Sequence, residues 1–154
     1  MSPAIDPPQI RAARAADLPA LLELEALFPS DRLSRRSLRR FIGLPNAWFG
    51  VAARGELALG NLLLLTRRGS RTSRIYSVII SPQARGLGLA RRLVAAAQRW
   101  AVAQGCDAIS LEVRADNAAA IGLYQGLGFA IERRLPAYYD DGADGLRMRK
   151  SLLA

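Results

Sequence analysis

The apolar positions along the chain fall into short runs with strand-like alternation and longer runs with helical spacing. Alternation over Gln9–Arg14 predicts a first strand. Asp17 is the predicted N-cap of a first helix, because Pro19 suits the first helical turn and a row of leucines surrounds it. Those leucines are Leu18, Leu21, Leu22 and Leu24.

A second, short helix is predicted after Ser34, whose side chain can cap it. Its apolar stripe, formed by Leu38, Phe41 and Ile42, is narrow, and the remaining positions are rich in arginine: Arg35, Arg36, Arg39 and Arg40. Two interpretations stay open. These arginines form either a solvated face on a packed helix or a patch that faces an acceptor or a cofactor.

The middle of the chain reads as strands. Two apolar runs, Ala47–Ala53 and Leu57–Thr66, are joined by three residues and predict an antiparallel hairpin. Arg67–Ser73 is polar and predicts a loop, and Ile75–Ile80 predicts the next strand. That strand should end at Pro82, since proline cannot donate a hydrogen bond to a sheet.

The second half alternates helices and strands. Leu89–Gln104 has helical spacing and should end at Gly105, which suits a helix C-terminus. A strand, a helix and two strands follow: Ala108–Val113, Ala118–Leu127 with Asn117 as its cap, Phe129–Leu135 and Leu146–Leu152. This order predicts an α+β, or mixed α/β, sheet.

Length and composition favour one cytoplasmic domain. With 154 residues, of which 51% are hydrophobic, we expect a single domain over residues 1–154. Cys106 is the only cysteine, so no disulfide within the chain is expected and a reducing compartment is favoured. Met1–Gln9 does not resemble a secretion signal, and no apolar stretch approaches the roughly 20 residues that span a bilayer.

Charge and missing residue types narrow the chemistry. The sequence has no histidine, which excludes a Ser-His arrangement and, with one cysteine, a zinc cluster; we expect no metal. The net charge of +9 comes almost entirely from arginine, since Lys150 is the only lysine. It favours a polyanionic partner: nucleic acid, an acidic protein or the phosphates of a cofactor. The preference for arginine over lysine could equally reflect a GC-rich coding sequence.

The sharpest local pattern is a strand, a glycine-rich turn and a helix between Ser77 and Arg92. Backbone N–H groups in a first helical turn have no partner within the helix, and the helix dipole adds positive charge there. Glycines allow close approach of an anion, and Arg85 and Arg91 flank the turn. The pattern therefore predicts a diphosphate site, although a simple tight connection would use similar residues.

Two blocks in this half resemble the GNAT acetyltransferases. The first is Arg85-x-x-Gly88-x-Ala90, with Gln83-x-x-Gly86-x-Gly88 as a second register that also satisfies the signature. The second runs from Leu111 to Ile121 and continues through Tyr124 to Leu127-Gly128-Phe129. Within the family, the Leu-Glu-Val-Arg and Asn-Ala-Ala-Ala-Ile segments are most similar to the ribosomal-protein-alanine N-acetyltransferase (RimI-like) group.

The resemblance implies a twisted mixed sheet of about seven strands with flanking helices, splayed between strands four and five, with acetyl-CoA as the acetyl donor. Strand four then binds the pantetheine arm through backbone groups of Val78, Ile79 and Ile80, and one of its N–H groups stabilises the oxyanion. The implied diphosphate residues are Arg85, Gly86, Leu87, Gly88, Leu89, Ala90 and Arg91. Asn117 and Tyr124 are also implied to contact the cofactor.

The same resemblance implies the catalytic groups, Glu112 as general base and Tyr124 as general acid. These types suit the reaction, because an ammonium must lose a proton before it attacks and a thiolate leaves better when protonated. Alternatives remain for each: Glu112 as a sheet carboxylate paired with arginine, Tyr124 as a packing residue, and Asn117 as a helix cap alone. Tyr138 and Tyr139 are candidates to line the acceptor channel.

The acceptor is less defined by the sequence. Deprotonating an α-amino group at pH 7 costs about 1 kcal/mol, against roughly 4 to 5 for lysine, which favours a protein N-terminus in a site without histidine. A lysine side chain, a small amine or an antibiotic-like compound stays an alternative. RimI-like proteins usually carry Pro-Trp where this chain has Phe28-Pro29-Ser30-Asp31, so the acceptor cannot be inherited.

A different class of function is a nucleic-acid-binding module that uses the basic helix Arg32–Arg40. No aromatic residues are interleaved with these arginines, which argues against base stacking. Nucleic acid is therefore not expected as the main partner. A membrane is not expected either, because no apolar stretch approaches the length that spans a bilayer.

Overall fold

The computed structural model describes residues 7–29 and 33–153, which contain seven strands and four α-helices. The first half comprises β1 Gln9–Ala12, α1 Leu18–Glu25, α2 Arg35–Phe41, β2 Ala47–Arg54, β3 Leu57–Leu65 and β4 Thr72–Ile80. The second half comprises α3 Leu89–Ala103, β5 Ala108–Arg114, α4 Ala118–Gly126, β6 Ala130–Leu135 and β7 Gly145–Ser151. Short 3-10 turns, Ala15–Asp17 and Pro82–Ala84, precede α1 and α3.

The seven strands form one mixed sheet in the order β1-β2-β3-β4-β5-β7-β6. β4 and β5 are parallel, whereas β5 with β7 and β6 with β7 are antiparallel. The β4–β5 ladder runs from Thr72 opposite Ala108 to Ile75 opposite Leu111 and stops there, although both strands continue. The mixed α/β class, the seven strands and the splay between strands four and five are confirmed.

The chain divides into two compact units. The first contains the described residues up to Leu64 together with Ser77–Arg99, and the second contains Leu65–Tyr76 together with the described residues from Trp100 onward. The first unit buries leucines of α1, α2, β3 and α3: Leu21, Leu38, Leu62, Leu63, Leu64 and Leu93. The second buries apolar side chains of β4, β5 and β7: Ile75, Ile109, Leu111, Val113 and Met148. A single domain over residues 1–154 stays a prediction.

Several strands and helices begin or end a few residues away from the positions predicted from the sequence. Thr72 and Ser73, expected in a loop, begin β4, where buried Ser73 pairs with Ile109 of β5. Helix α3 ends as expected before Gly105, which has a φ of 86°. Pairing with a neighbouring strand, which local composition does not reveal, extended β4 into the polar segment.

Asp17 precedes α1 as predicted, but its side chain does not cap that helix. Both carboxylate oxygens accept hydrogen bonds from the Arg11 guanidinium, at 2.7 and 2.8 Å, and one also accepts from the Arg14 backbone N–H at 2.7 Å. The predicted capping bond is therefore wrong. Asp17 has helical dihedral angles because a 3-10 turn precedes α1, so its carboxylate faces back to that turn.

Replacing Asp17 with asparagine should lower the free energy of unfolding by about 1 kcal/mol, because a charge-assisted, two-point contact is lost. The hydrogen bonds from Arg11 lower the pKa of Asp17, so the stabilisation is present above the pKa of the unfolded state and is lost in acid. Denaturant titrations should therefore show the full difference at neutral pH and a smaller one below about pH 4. Glu23→Gln, an exposed change on α1, is the control; an equal effect of both variants would contradict this account.

Glu25 is a buried carboxylate that the sequence pattern did not reveal. Its side chain accepts hydrogen bonds from the Leu33 backbone N–H at 2.9 Å and from Asn61 Nδ2 at 3.2 Å. Burial raises the pKa of Glu25, and the two hydrogen bonds oppose that rise. Glu25 thus links the start of the α2 region to β3 within the first unit.

Candidate active site

The turn before α3 exposes its backbone. Gly86 and Gly88 have φ values of 86° and 71°, the left-handed region that glycine adopts at little cost. A Cβ added at either glycine would have no atom of the described residues within 4 Å, apart from the glycine's own chain neighbours. The described part of the chain therefore leaves this backbone open to close approach by a ligand.

Helix α3 begins directly after this turn and supplies hydrogen-bond donors. Its 15 residues start at Leu89, and the Arg92 N–H donates to the Gly88 carbonyl oxygen. The N–H groups of the first helical turn before Arg92 have no acceptor in the helix itself, and the helix dipole favours negative charge at this end. Buried Leu89 fixes the helix start, while Arg85 and Arg91 are exposed beside it. This donor set fits a diphosphate.

The second half of β4 also lies in the first unit and contains Val78, Ile79 and Ile80. Gly60 of β3 allows close packing here, since a Cβ on it would lie 2.7 Å from Ile80 Cδ1 and 3.1 Å from the Ile79 carbonyl oxygen. The strand ends where the Ser81 N–H donates to the Leu59 carbonyl oxygen. The backbone contacts to pantetheine stay a prediction.

Glu112, in the second unit, is held between two arginines. Arg74 of β4 donates to one carboxylate oxygen at 2.7 Å, and Arg147 of β7 donates to the other at 3.3 Å. The Glu112 side chain is only 8% exposed. The pairing with arginine that the sequence left open is present, and a proton accepted by Glu112 would weaken both ion pairs.

Tyr124 lies on α4 with its ring against the edge of Phe129, at a centroid distance of 5.8 Å and an angle of 71°. Burial raises the pKa of Tyr124 to about 12, so its phenol is neutral at physiological pH. Among the residues that the structure describes, none forms a hydrogen bond with its hydroxyl, which is not a fully buried atom. The largely buried side chain therefore carries a proton that no described protein group binds.

Asn117 caps α4, as expected. Its Oδ1 accepts a hydrogen bond from the Ala120 N–H at 3.1 Å. This bond leaves the Nδ2 donors of the exposed side chain outside the cap, so a cofactor contact is compatible with capping and stays a prediction.

Arg114, at the end of β5, is a residue that the sequence analysis missed. It pairs with Asp141 at 2.7 Å and with Asp116 at 3.3 Å, and its guanidinium lies 5.1 Å from the Tyr139 ring centroid. These contacts raise the pKa of Arg114. Arg114 thus organises the loop between β6 and β7, in which Tyr138 packs edge-on against Tyr139. Acceptor lining by these tyrosines stays a prediction.

Arg74 and Arg147 were also missed as partners of Glu112. A signal was present, because alternation in Arg147-Met148-Arg149 places arginine on one face and a buried methionine on the other. Which strand lies beside β5 was the missing information.

The matching family is described as the acetyltransferase (GNAT) family, and its sequence profile matches residues 18–129. The match includes the glycine turn, Glu112 and Tyr124. The chain therefore belongs to the GNAT acetyltransferases, a class of acyl-transferring enzymes.

Individual relatives define the similarity further. The chain is 32% identical over 136 residues to the N-alpha-acetyltransferase MAK3 of Arabidopsis thaliana, covering 86% of this chain and 70% of that protein. Its matches to two further curated relatives cover 21% of the length of the uncharacterized protein ML0378 of Mycobacterium leprae and 46% of the length of the N-terminal acetyltransferase B complex catalytic subunit naa20 of Schizosaccharomyces pombe.

Two solved structures share the fold. The ribosomal-protein-S18-alanine N-acetyltransferase of Escherichia coli superposes with a TM-score of 0.82 at 23% identity, over 96% of this chain and 95% of that one. Ard1 of Thermoplasma volcanium gives a TM-score of 0.83 at 22% identity, over 97% and 100%. The RimI-like GNAT fold predicted from the sequence is confirmed.

The helices in the described part of the chain are too short or too polar to be membrane-spanning segments.

Proposed function

We propose that this protein transfers the acetyl group of acetyl-CoA to the α-amino group of a protein N-terminus. The observation that carries acetyl-CoA as the donor is the exposed turn of Gly86 and Gly88, with positive φ values, leading into α3. Membership of the GNAT family and the similarity to a protein named as an N-alpha-acetyltransferase support it. We place this activity in the cytoplasm, in line with a single, buried cysteine.

The chain's part in binding the coenzyme would be electrostatic and steric. Backbone N–H groups from Gly86 to Arg91 would donate to the diphosphate, with Arg85 and Arg91 adding charge. Main-chain groups of Val78, Ile79 and Ile80 would bind the pantetheine amides, and the Nδ2 of Asn117 would donate to the coenzyme. Bound acetyl-CoA supplies the activated acetyl thioester, and no metal is needed for that chemistry.

Glu112 would accept the proton that the acceptor ammonium must lose, directly or through a water molecule. The nitrogen lone pair then attacks the thioester carbonyl carbon and forms the new C–N bond, the C–S bond breaks to release the sulfur, and the second proton of the nitrogen leaves to water. Glu112 accepts hydrogen bonds from Arg74 and Arg147, so the base role requires at least one of these two contacts to loosen.

Tyr124 would act as the general acid that protonates the leaving sulfur. Full proton transfer from a phenol with a pKa of about 12 to a thiolate whose thiol titrates near 8.5 is uphill by about 5 kcal/mol. The same apolar surroundings would raise the pKa of a thiol beside the phenol and so narrow this difference. We therefore assign Tyr124 a hydrogen bond to the developing thiolate, along which the proton passes as the C–S bond breaks, and the phenolate then regains a proton from water.

A screen of free-thiol release from acetyl-CoA tests the acceptor. Peptides with a free N-terminal alanine should be turned over, whereas the same peptides with a blocked N-terminus and an internal lysine should not. Small polyamines and aminoglycosides form the third class. A preference for blocked lysine peptides or small amines would replace the N-terminal acceptor with the corresponding alternative.

A further inference from the structure

Four arginines share one face of the sheet in the second unit. The strand register places Arg74 beside Ser110, which pairs with Arg149, and places Glu112 beside Arg147, which pairs with Arg133. Directly paired residues project to the same face, and Ser110 and Glu112 are two positions apart on β5. We call this set the arginine face: Arg74, Arg133, Arg147 and Arg149.

The arginine face carries more positive than negative charge. Among the described residues, its four arginines meet two carboxylates, Glu112 and Glu132, and between these six groups there is a surplus of two positive charges. The Arg149 contact to Glu132 is long, at 3.9 Å, and within residues 33–153 Arg133 forms no ion pair. The Arg149 and Arg74 side chains are 48% and 44% exposed, so this surplus charge is accessible to a partner.

We propose that the arginine face selects acceptors whose residues just after the N-terminus are acidic. This inference rests on the proposed function. If the N-terminal amine of a peptide reacts beside Glu112, the residues that follow it in the peptide must lie on the surface around Glu112. Neighbouring strands lie about 4.8 Å apart, and alternate residues along one strand about 6.8 Å. Acidic side chains of an extended peptide have the same alternate spacing and accept the two-point hydrogen bonds that guanidinium groups donate.

Acidic acceptors would also activate Glu112. In the structure described, Arg74 and Arg147 both donate to Glu112. An acceptor carboxylate that pairs with Arg74 or Arg147 weakens the hydrogen bond from that arginine to Glu112. The proton of the α-ammonium can then pass to Glu112. The same contact thus binds the acceptor and prepares the base.

A peptide fits this face better than a nucleic acid. The Glu112 and Glu132 carboxylates lie among the arginines and would repel a continuous row of phosphates. Isolated carboxylates of a peptide can avoid them.

Steady-state kinetics with matched peptides tests the inference. Each peptide begins with alanine and carries aspartate and glutamate at positions 2 and 4, or asparagine and glutamine there, or two arginines. The acidic peptide should have a KM up to about fivefold below that of its amide counterpart, since an exposed charge pair contributes up to about 1 kcal/mol. Arg133→Ala and Arg149→Ala should each remove most of that preference by raising the KM of the acidic peptide towards that of the amide peptide.

Arg68→Ala is the matched control, since it removes the same charge from an exposed position in the loop before β4. It should leave the preference intact. Arg133→Glu should shift the preference towards the arginine peptide, an effect that a general loss of stability would not produce.

Fluorescence anisotropy with the labelled peptides keeps the test independent of turnover. Equal KM and equal affinity for acidic and amide peptides would overturn the inference while leaving N-terminal acetylation intact. Failure of every N-terminal peptide to react, with acidic binding still dependent on Arg133 and Arg149, would instead overturn the proposed function. Binding of single-stranded oligonucleotide through the same arginines, without a preference for acidic peptide, would assign the face to nucleic acid and overturn the inference.

Discussion

Replacing Gly88 with valine should weaken acetyl-CoA binding by at least roughly 30-fold, or about 2 kcal/mol, because charged hydrogen bonds to the diphosphate are lost. Gly88 has a φ of 71°, which a β-branched residue adopts only with strain. The added side chain would meet no atom of residues 7–29 or 33–153 near its Cβ beyond its chain neighbours, so it would project from the exposed turn towards the ligand. Calorimetric titration with acetyl-CoA measures the effect.

Gly69→Val is a matched control for this variant. Gly69 has a φ of 80° and equally open surroundings, but it lies in the loop before β4. Both variants should lose similar stability to backbone strain, and only Gly88→Val should lose the coenzyme. Normal affinity in Gly88→Val would contradict the assignment of the phosphate turn.

Tyr124→Phe should lower kcat on the order of a hundredfold and leave acetyl-CoA affinity nearly unchanged. The phenylalanine ring can keep the edge contact to Phe129, so the substitution removes only the hydroxyl. Burial holds the pKa of Tyr124 near 12, and kcat of the unmodified protein should therefore show no alkaline loss from this group below about pH 10.

Rapid mixing of pre-bound enzyme with the acceptor peptide separates chemistry from product release in this variant. A melting temperature equal to that of the unmodified protein serves as the control for folding. Unchanged single-turnover rates would remove Tyr124 from the proton-transfer step and leave it a packing residue under the coenzyme.

Local chemistry made some features predictable. Ser34 and Asn117 cap α2 and α4 through side-chain oxygens that accept from Ser37 and Ala120, as the preference of serine and asparagine for this position implies. The glycine turn before α3 was predictable because left-handed backbone favours glycine. Each of these features depends on residues within a few positions of one another.

Features that depend on distant neighbours were not predictable. The partners of Glu112 lie 38 and 35 positions away, at Arg74 and Arg147, and meet it only because β5 lies between β4 and β7. The buried Glu25 was missed because its hydrogen-bond donor Asn61 is 36 residues away on β3. Residues Ser30, Asp31 and Arg32, which the sequence analysis placed in the acceptor loop and the basic helix, lie outside the described residues.

The predicted N-cap hydrogen bond of Asp17 failed for a different reason. Its position before α1 was correct, but two competing donors, the Arg11 side chain and the Arg14 N–H, hold its carboxylate. Propensity gives the type of residue at a helix start, whereas the hydrogen bond formed depends on which donors are closest.

Tandem mass spectrometry of one reacted peptide tests the central claim most directly. The peptide carries a free N-terminal alanine, acidic residues after it and one internal lysine, and is incubated with the protein and acetyl-CoA. The account predicts a single acetyl group on the α-nitrogen of alanine. An acetyl group on the lysine ε-nitrogen, or no acetylation with acetyl-CoA present, would contradict it.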